Sequence, residues 1–175
     1  MSFNPAPAFP PPAAPARKSR AGGVILILAG IAAAVSPFIA WFPPLQEGGK
    51  NTTLKAFNTA IADAEKAGAD FSNMGVANDP RYWFYAILGG AGIAVLFGLI
   101  GLAGGKGANV TAGIFGLIAA IAIAFPPVWL LTGADSVEDL SSGIGDLGIG
   151  YFTAGAAGFL ALLGMLFAFI GAAKK

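Results

Sequence analysis

The sequence predicts an all-α integral membrane protein, with four transmembrane helices arranged as two hairpins. Four long apolar runs carry no charge, and each is long enough, at 1.5 Å per residue, to cross a hydrocarbon core of roughly 30 Å. The mean hydropathy is +0.73, and only 11% of the residues are charged. The charges are also segregated, because all nine carboxylates lie in residues 47–79 and 135–146.

The chain opens with a Pro/Ala-rich basic arm at residues 1–21, ahead of a membrane domain at residues 22–175. The arm favours extended polyproline II and cannot build a core. It is either a solvated tail or an extension that lies along a partner, anchored by Phe3 and Phe9. The apolar run behind it is longer than the apolar region of a signal peptide, so a retained span is expected.

The first span is predicted at residues 22–42, where Trp41 marks an interface and Pro43-Pro44 stop the helix. Pro37 lies inside this run and removes one helical hydrogen bond, so a kink is expected there. Ser36 can satisfy the carbonyl that the proline leaves free.

Residues 43–82 form the longer of two acidic outer loops. An apolar stripe predicts a short amphipathic helix over residues 52–67, capped by Asn51 or Thr52 and ended at Gly68. The stripe is too short to form a core alone and must therefore dock. It either contacts a partner or covers the protein's own helix ends, and its members are Leu54, Phe57 and Ile61.

The second and third spans are predicted at residues 83–103 and 108–131, and a four-residue turn makes them antiparallel neighbours. Each span repeats small residues every four positions, a pattern that lets helices approach closely in a membrane. The predicted helix-packing residues are Gly90, Ala94 and Gly98 on the second span and Ala112, Gly116, Ala120 and Ala124 on the third.

The smaller outer loop, residues 132–148, leads to a fourth span at residues 149–172. The third span runs into Phe125-Pro126-Pro127, which matches Phe42-Pro43-Pro44 behind the first. This correspondence indicates either two hairpins related by an axis along the membrane normal or convergence on one way of ending a helix at an interface.

The distribution of charge and aromatic residues predicts a plasma-membrane protein with both termini in the cytoplasm. Six of the ten basic residues lie in the arm, the 104–107 turn and the C-terminus, which contain no acid. Every Trp and Tyr lies at the opposite ends of the spans, as in an interfacial belt.

The side chains that carry chemistry are scarce. The chain has no Cys and no His, which excludes thiolate or imidazole metal sites, His-ligated haem and imidazole catalysis. Within the spans, the expected polar residues are Ser36, Tyr85, Thr111 and Thr153, too few for a proton or ion path. We therefore expect no catalytic, cofactor-binding or metal-binding residues, no enzyme activity, no nucleic-acid partner and no small-molecule substrate.

In its Pro/Ala-rich arm, basic stop and Gly/Ala-rich spans, the chain resembles small actinobacterial membrane proteins, such as the accessory subunits of the cytochrome bcc–oxidase supercomplex. The resemblance implies a non-catalytic accessory or scaffolding subunit whose partners are other membrane subunits and the lipid bilayer. A small carrier or lipid-handling protein is the alternative.

Overall fold

The computed structural model describes residues 19–42, 52–73, 75–132 and 147–173. Four of its helices are long and apolar enough to cross a membrane, and the described residues are mainly helical, as predicted. The helices are α1 (Ala21–Val35), α2 (Leu54–Lys66), α3 (Pro80–Leu102), α4 (Lys106–Thr132) and α5 (Ile149–Ala173), with short 3-10 helices at Ser36–Phe38 and Val76–Asn78. The predicted arm, the Pro43-Pro44 pair, most of the second acidic loop and the C-terminal lysines lie outside the described residues.

The four long helices form a ring in which α1, α3, α4 and α5 follow one another and each packs against two neighbours. The turn between α3 and α4 is short, because Gly104 and Gly105 adopt φ of +66° and +113°, which L side chains rarely adopt. This confirms the predicted antiparallel pair. Stacked rings of Phe97 and Phe115, 3.7 Å apart between centroids, join the two helices farther along.

The first span differs from its prediction at the outer end. The α-helix stops at Val35, a 3-10 turn follows, and residues Ala40–Phe42 form a strand, β1. β1 pairs antiparallel with β2 (Thr52–Thr53), a small sheet that the predicted all-helical architecture did not include. Pro37 therefore ends the helix instead of kinking it. The predicted role of Ser36 is confirmed, since its Oγ donates to Ala33 O at 2.9 Å, the carbonyl that Pro37 leaves free.

The third span keeps its predicted length, but Pro126 and Pro127 lie inside α4, which continues to Thr132. The interpretation that this Pro pair ends a helix is wrong. The first helix ends at Val35, well before its own Phe-Pro-Pro sequence. The two Phe-Pro-Pro sequences thus do not mark equivalent helix ends, and this weakens the argument for a repeated hairpin.

The predicted amphipathic helix is present as α2, a little shorter than expected. Thr53 caps it in place of Asn51 or Thr52, because its side-chain oxygen accepts from Ala56 N at 3.0 Å. The chain then turns at Gly68, whose φ is +100°. α2 packs beside the start of α3 and the Ser36–Phe38 turn that follows α1.

The core has few large side chains and many small ones. Leu26, Ile87 and Ile123 are fully buried within the bundle, and Trp41 and Leu54 are fully buried at its outer end. Alanine fills most of the remaining core positions, which lets the helices pack closely.

Candidate functional site: the polar cap over the helix ends

The strongest concentration of polar contacts is a cap over one end of the bundle, formed by α2, the β1–β2 pair and residues 76–81. The apolar stripe of α2 packs the cap against the bundle, since Leu54 is fully buried and Ile61 is 7% exposed. The ring of Phe57 lies 5.2 Å from that of Phe42, centroid to centroid. The stripe thus contacts the protein's own chain. This geometry favours the alternative in which the stripe covers the helix ends.

Buried aromatic side chains bind the cap to the spans. Trp41 Nε1 donates to Ser36 O at 2.6 Å, and Trp83 Nε1 donates to Ala77 O at 2.8 Å. Tyr151 OH donates to Pro127 O at 2.8 Å. These three side chains are buried, so they act as structural anchors and not as an interfacial belt. Among the described residues, the exposed Tyr and Trp side chains at this end are Tyr82, Tyr85 and Trp129, and Phe38 and Phe152 are exposed there as well.

An ion-pair cluster lies where α3 begins. Asp79 caps α3 by accepting from Arg81 N at 2.9 Å, and its side chain is almost fully buried. Arg81 Nη2 binds Asp79 Oδ2 at 2.7 Å, and Arg81 Nη1 binds Glu65 Oε1 on α2 at 2.6 Å. The side-chain hydrogen bond from Arg81 lowers the pKa of Asp79, and burial opposes this only in part. One guanidinium therefore joins the start of α3 to α2.

A polar groove of about 320 Å³ runs between α2 and α3 beside this cluster. Lys55, Asn58 and Thr59 line it from α2, and Arg81 and Tyr85 line it from α3. Lys55 Nζ lies 5.5 Å from the ring centroid of Phe38. The Oδ1 atom of Asn58 is buried and has no hydrogen-bond partner among the described residues. Asp63 and Lys66 also line the groove, so its lining carries charges of both signs.

The predicted ridge on α3 is divided between two neighbouring helices. A Cβ at Gly90 would lie 3.1 Å from Ala119 O of α4, whereas a Cβ at Gly98 would lie 2.8 Å from Gly23 O of α1. Ala94, between them, is fully buried. Residues four apart drift about 40° around a helix, because a turn contains 3.6 residues. The ridge therefore passes from one neighbour to the next.

The predicted ridge on α4 behaves in the same way. Ala112 and Ala120 are buried within the bundle. Gly116 lies against Leu26 of α1, and Ala124 lies against Gly158 of α5. Both ridges thus pack inside the protein. The sequence analysis missed their counterparts, Gly22, Gly23 and Gly30 on α1 and Gly158 and Gly164 on α5. On α5 the same four-residue pattern of small residues is present, in Ala154 with Gly158 and in Gly164 with Ala168 and Ala172, and it was not counted. On α1 the glycines that face α3 are Gly23 and Gly30, seven residues apart, so a four-residue repeat does not find them.

Asn109 is a buried polar residue that the sequence analysis did not count. It lies at the start of α4, is 2% exposed, and its Nδ2 donates to Ser19 O just before α1. No three His, Cys, Asp or Glu side chains come together as metal ligands within the described ranges. The two carboxylates that do meet, Asp79 and Glu65, are both bound to Arg81.

Comparison of the chain with protein-family models, with curated proteins and with solved structures finds no match.

Proposed function

We propose that this protein is a non-catalytic accessory or scaffolding subunit of a larger membrane protein complex. The observation that carries the proposal is the close packing of the spans through backbone. Gly23 and Gly98 approach so closely that a Cβ on either would lie within 2.8 Å of the other's carbonyl oxygen. Such contacts favour a rigid, laterally packed bundle. The resemblance to accessory subunits makes the respiratory supercomplex the first partner to test.

The polar groups inside the bundle also support a structural role. Ser36 donates to Ala33 O, Asn109 to Ser19 O and Tyr151 to Pro127 O, so these side chains bind the protein's own backbone. The middle of the bundle is filled by Leu26, Ile87 and Ile123. A carrier needs a substrate site between its helices, near the middle of the membrane. The described side chains fill that region instead.

Purification in mild detergent, followed by identification of the proteins that co-purify, tests the proposal. A photo-crosslinking residue is placed at one exposed position on each span, in turn Leu28, Gly89, Ile121 and Phe159. A subunit should crosslink to the same protein from adjacent faces, and much less from the opposite face. A chain that purifies alone at native expression level, and crosslinks to no protein above background, would overturn the proposal.

We further propose the plasma membrane as its location, with both termini in the cytoplasm and the cap outside. The chain has no cysteine, so single cysteines report cleanly on accessibility. Lys66→Cys, on α2, should react with an impermeant thiol reagent in intact cells. Lys106→Cys, at the α3–α4 turn, should react only after the membrane is permeabilised. The reverse pattern would overturn the orientation.

A further inference from the structure

We propose that the end of the bundle opposite the cap binds an anionic phospholipid whose headgroup carries two phosphates. Basic residues from three segments of the chain hold the headgroup, and Arg20 and Lys106 are the members that the structure describes. The site belongs to this chain alone. It therefore does not rest on the proposed role as a subunit, and it can be tested on the isolated protein.

The three segments meet at a junction formed by Ser19, Asn109 and Gly171. Asn109 Nδ2 donates to Ser19 O at 3.4 Å, and Asn109 is 2% exposed. A Cβ built at Gly171 would lie 2.8 Å from Asn109 Nδ2 and 3.0 Å from Ser19 Cβ. The start of α1, the start of α4 and the last turn of α5 are thus in direct contact, although they are far apart in the chain.

Each segment of the junction has basic residues within four positions of the contact. Arg20 follows Ser19 directly, and Lys106 precedes Asn109 by three residues, which is about 4.5 Å along a helix at 1.5 Å per residue. Both basic side chains are exposed. The sequence attaches four further cations to the same segments, namely Arg17, Lys18, Lys174 and Lys175. Six positive charges are therefore tied to one contact point.

The carboxylates of the chain belong to the other end. All nine lie in residues 47–79 and 135–146, the two segments that connect the spans at the cap end. There, Arg81 is bound by two carboxylates. None of the described carboxylates neutralises Arg20 or Lys106 in the same way. The described part of the end opposite the cap therefore has one sign of charge, which attracts anions from outside the chain.

The position of these cations along the spans favours a lipid as the anion. Arg20 directly precedes α1, and Lys106 is the first residue of α4, so each lies where an apolar span ends. Long basic side chains at such a position extend to the level of the lipid headgroups. Basic residues gathered between helix ends at a membrane surface bind anionic headgroups.

The division of the cations between separate helices accounts for the second phosphate. Arg20 belongs to the start of α1 and Lys106 to the start of α4, so a single phosphate that is bound at one leaves the other without an anion. A headgroup with two phosphates contacts both segments at once. The second contact then forms within the complex and strengthens binding without a second lipid.

Native mass spectrometry of the delipidated full chain tests the proposal. The protein is incubated with cardiolipin, phosphatidylglycerol or phosphatidylcholine of equal acyl length, the first two matched for phosphate. We expect cardiolipin to be retained most and phosphatidylcholine least. The double variant Arg20→Gln/Lys106→Gln should lower cardiolipin retention at least fivefold, since one cation near an anionic surface contributes about that factor. The control Lys55→Gln/Lys66→Gln removes the same charge from exposed positions on α2 and should leave retention unchanged.

The order of the lipids and the place of the charge decide the outcome. Equal retention of cardiolipin and phosphatidylcholine by the wild type would overturn the proposal, as would equal losses in the two double variants. Equal retention of cardiolipin and phosphatidylglycerol at matched phosphate would overturn the requirement for two phosphates. Displacement of cardiolipin at equal charge concentration would overturn the lipid as the occupant, and would assign the surface to an acidic protein segment if polyglutamate displaces it or to a free phosphate if inorganic pyrophosphate does.

Discussion

Replacing Gly98 with alanine places a methyl group where α3 meets α1. A Cβ at this position would lie 2.8 Å from the carbonyl oxygen of Gly23 and 2.8 Å from Ile27 Cγ1. The isoleucine can change rotamer, but the carbonyl belongs to the α1 backbone and cannot turn away. Gly92, on the same helix, has no heavy atom within 4 Å of the equivalent position and is the matched control.

The two substitutions share every effect except the packing contact. Both change glycine to alanine inside a helix, which favours the helix by up to about 1 kcal/mol in each case and cancels in the comparison. The methyl group at Gly98 forces α1 and α3 apart, and overpacking of this kind typically costs about 1–3 kcal/mol. Gly98→Ala should therefore be about 1–3 kcal/mol less stable than Gly92→Ala.

Reversible unfolding in mixed micelles of a mild detergent and sodium dodecyl sulfate, followed by circular dichroism, measures this difference. Gly23→Ala inserts its methyl group into the same contact, because a Cβ there would lie 2.6 Å from Gly98 O. The costs of Gly23→Ala and Gly98→Ala should therefore not add in the double variant. Equal stability of Gly98→Ala and Gly92→Ala would refute the close backbone approach.

Two further predictions concern the cap. Asp79→Asn keeps an oxygen for the Arg81 N–H but loses the charge of a nearly buried side chain, and it should cost about 1.5–3 kcal/mol. Asp79→Ala also loses the N-cap and should cost about 1 kcal/mol more. Because Arg81 lowers the pKa of Asp79, the ion pair stabilises the folded protein fully at pH values above 3.8, the ordinary pKa of Asp, and this stabilisation is lost as the pH falls through the lowered pKa. Tryptophan fluorescence measured from pH 2 to 6 should therefore show an unfolding step in the wild type that Asp79→Asn abolishes. An unchanged step in Asp79→Asn would contradict this. Ile61→Asp should detach α2 from the bundle and make the chain near Gly68 sensitive to limited proteolysis, while the spans stay helical. Ala60→Asp, on the exposed face of α2, should leave that sensitivity unchanged. If Ile61→Asp resists proteolysis as well as the wild type does, the apolar stripe of α2 does not cover the protein's own helix ends.

The parts of the fold that depend on local pattern could be predicted from the sequence. The lengths of the apolar runs located the spans to within a few residues, except at the outer end of the first. The glycines at 104–107 indicated a tight turn, and the period of Leu54, Phe57 and Ile61 indicated α2. These signals depend on residues near one another in the chain, so neighbouring helices do not alter them.

The direction in which a ridge faces could not be predicted in the same way. A four-residue repeat drifts about 40° per step, so the α3 ridge turns about 80° from Gly90 to Gly98. Around a ring of four helices, that rotation moves the ridge from one neighbour to the next. Which neighbour is met first depends on the order of the helices, which no local pattern encodes. The contact between Lys55 and the ring of Phe38 could not be predicted from a local pattern either, since the two residues are 17 apart in the chain.

The prolines show most clearly how tertiary contacts decide what a local signal means. The α-helix ends at Val35 and the 3-10 turn that follows ends at Phe38; there the indole of Trp41 binds Ser36 O at 2.6 Å and Ile39 N reaches the same oxygen. That carbonyl would otherwise accept from residue 40 and continue the helix.

At Pro127 the reverse holds. The Tyr151 hydroxyl on α5 donates to Pro127 O, and Gly155 leaves room for the proline ring, whose Cβ lies 4.0 Å from a Cβ built at that glycine. The proline segment of α4 is thus packed against α5, and α4 continues to Thr132. The two sites differ in what surrounds the proline: Ser36 O accepts from Trp41 and from Ile39 N and the chain leaves the helix, whereas the ring of Pro127 is packed against α5 and the helix goes on. A proline in the sequence of a span therefore does not by itself locate the end of the helix.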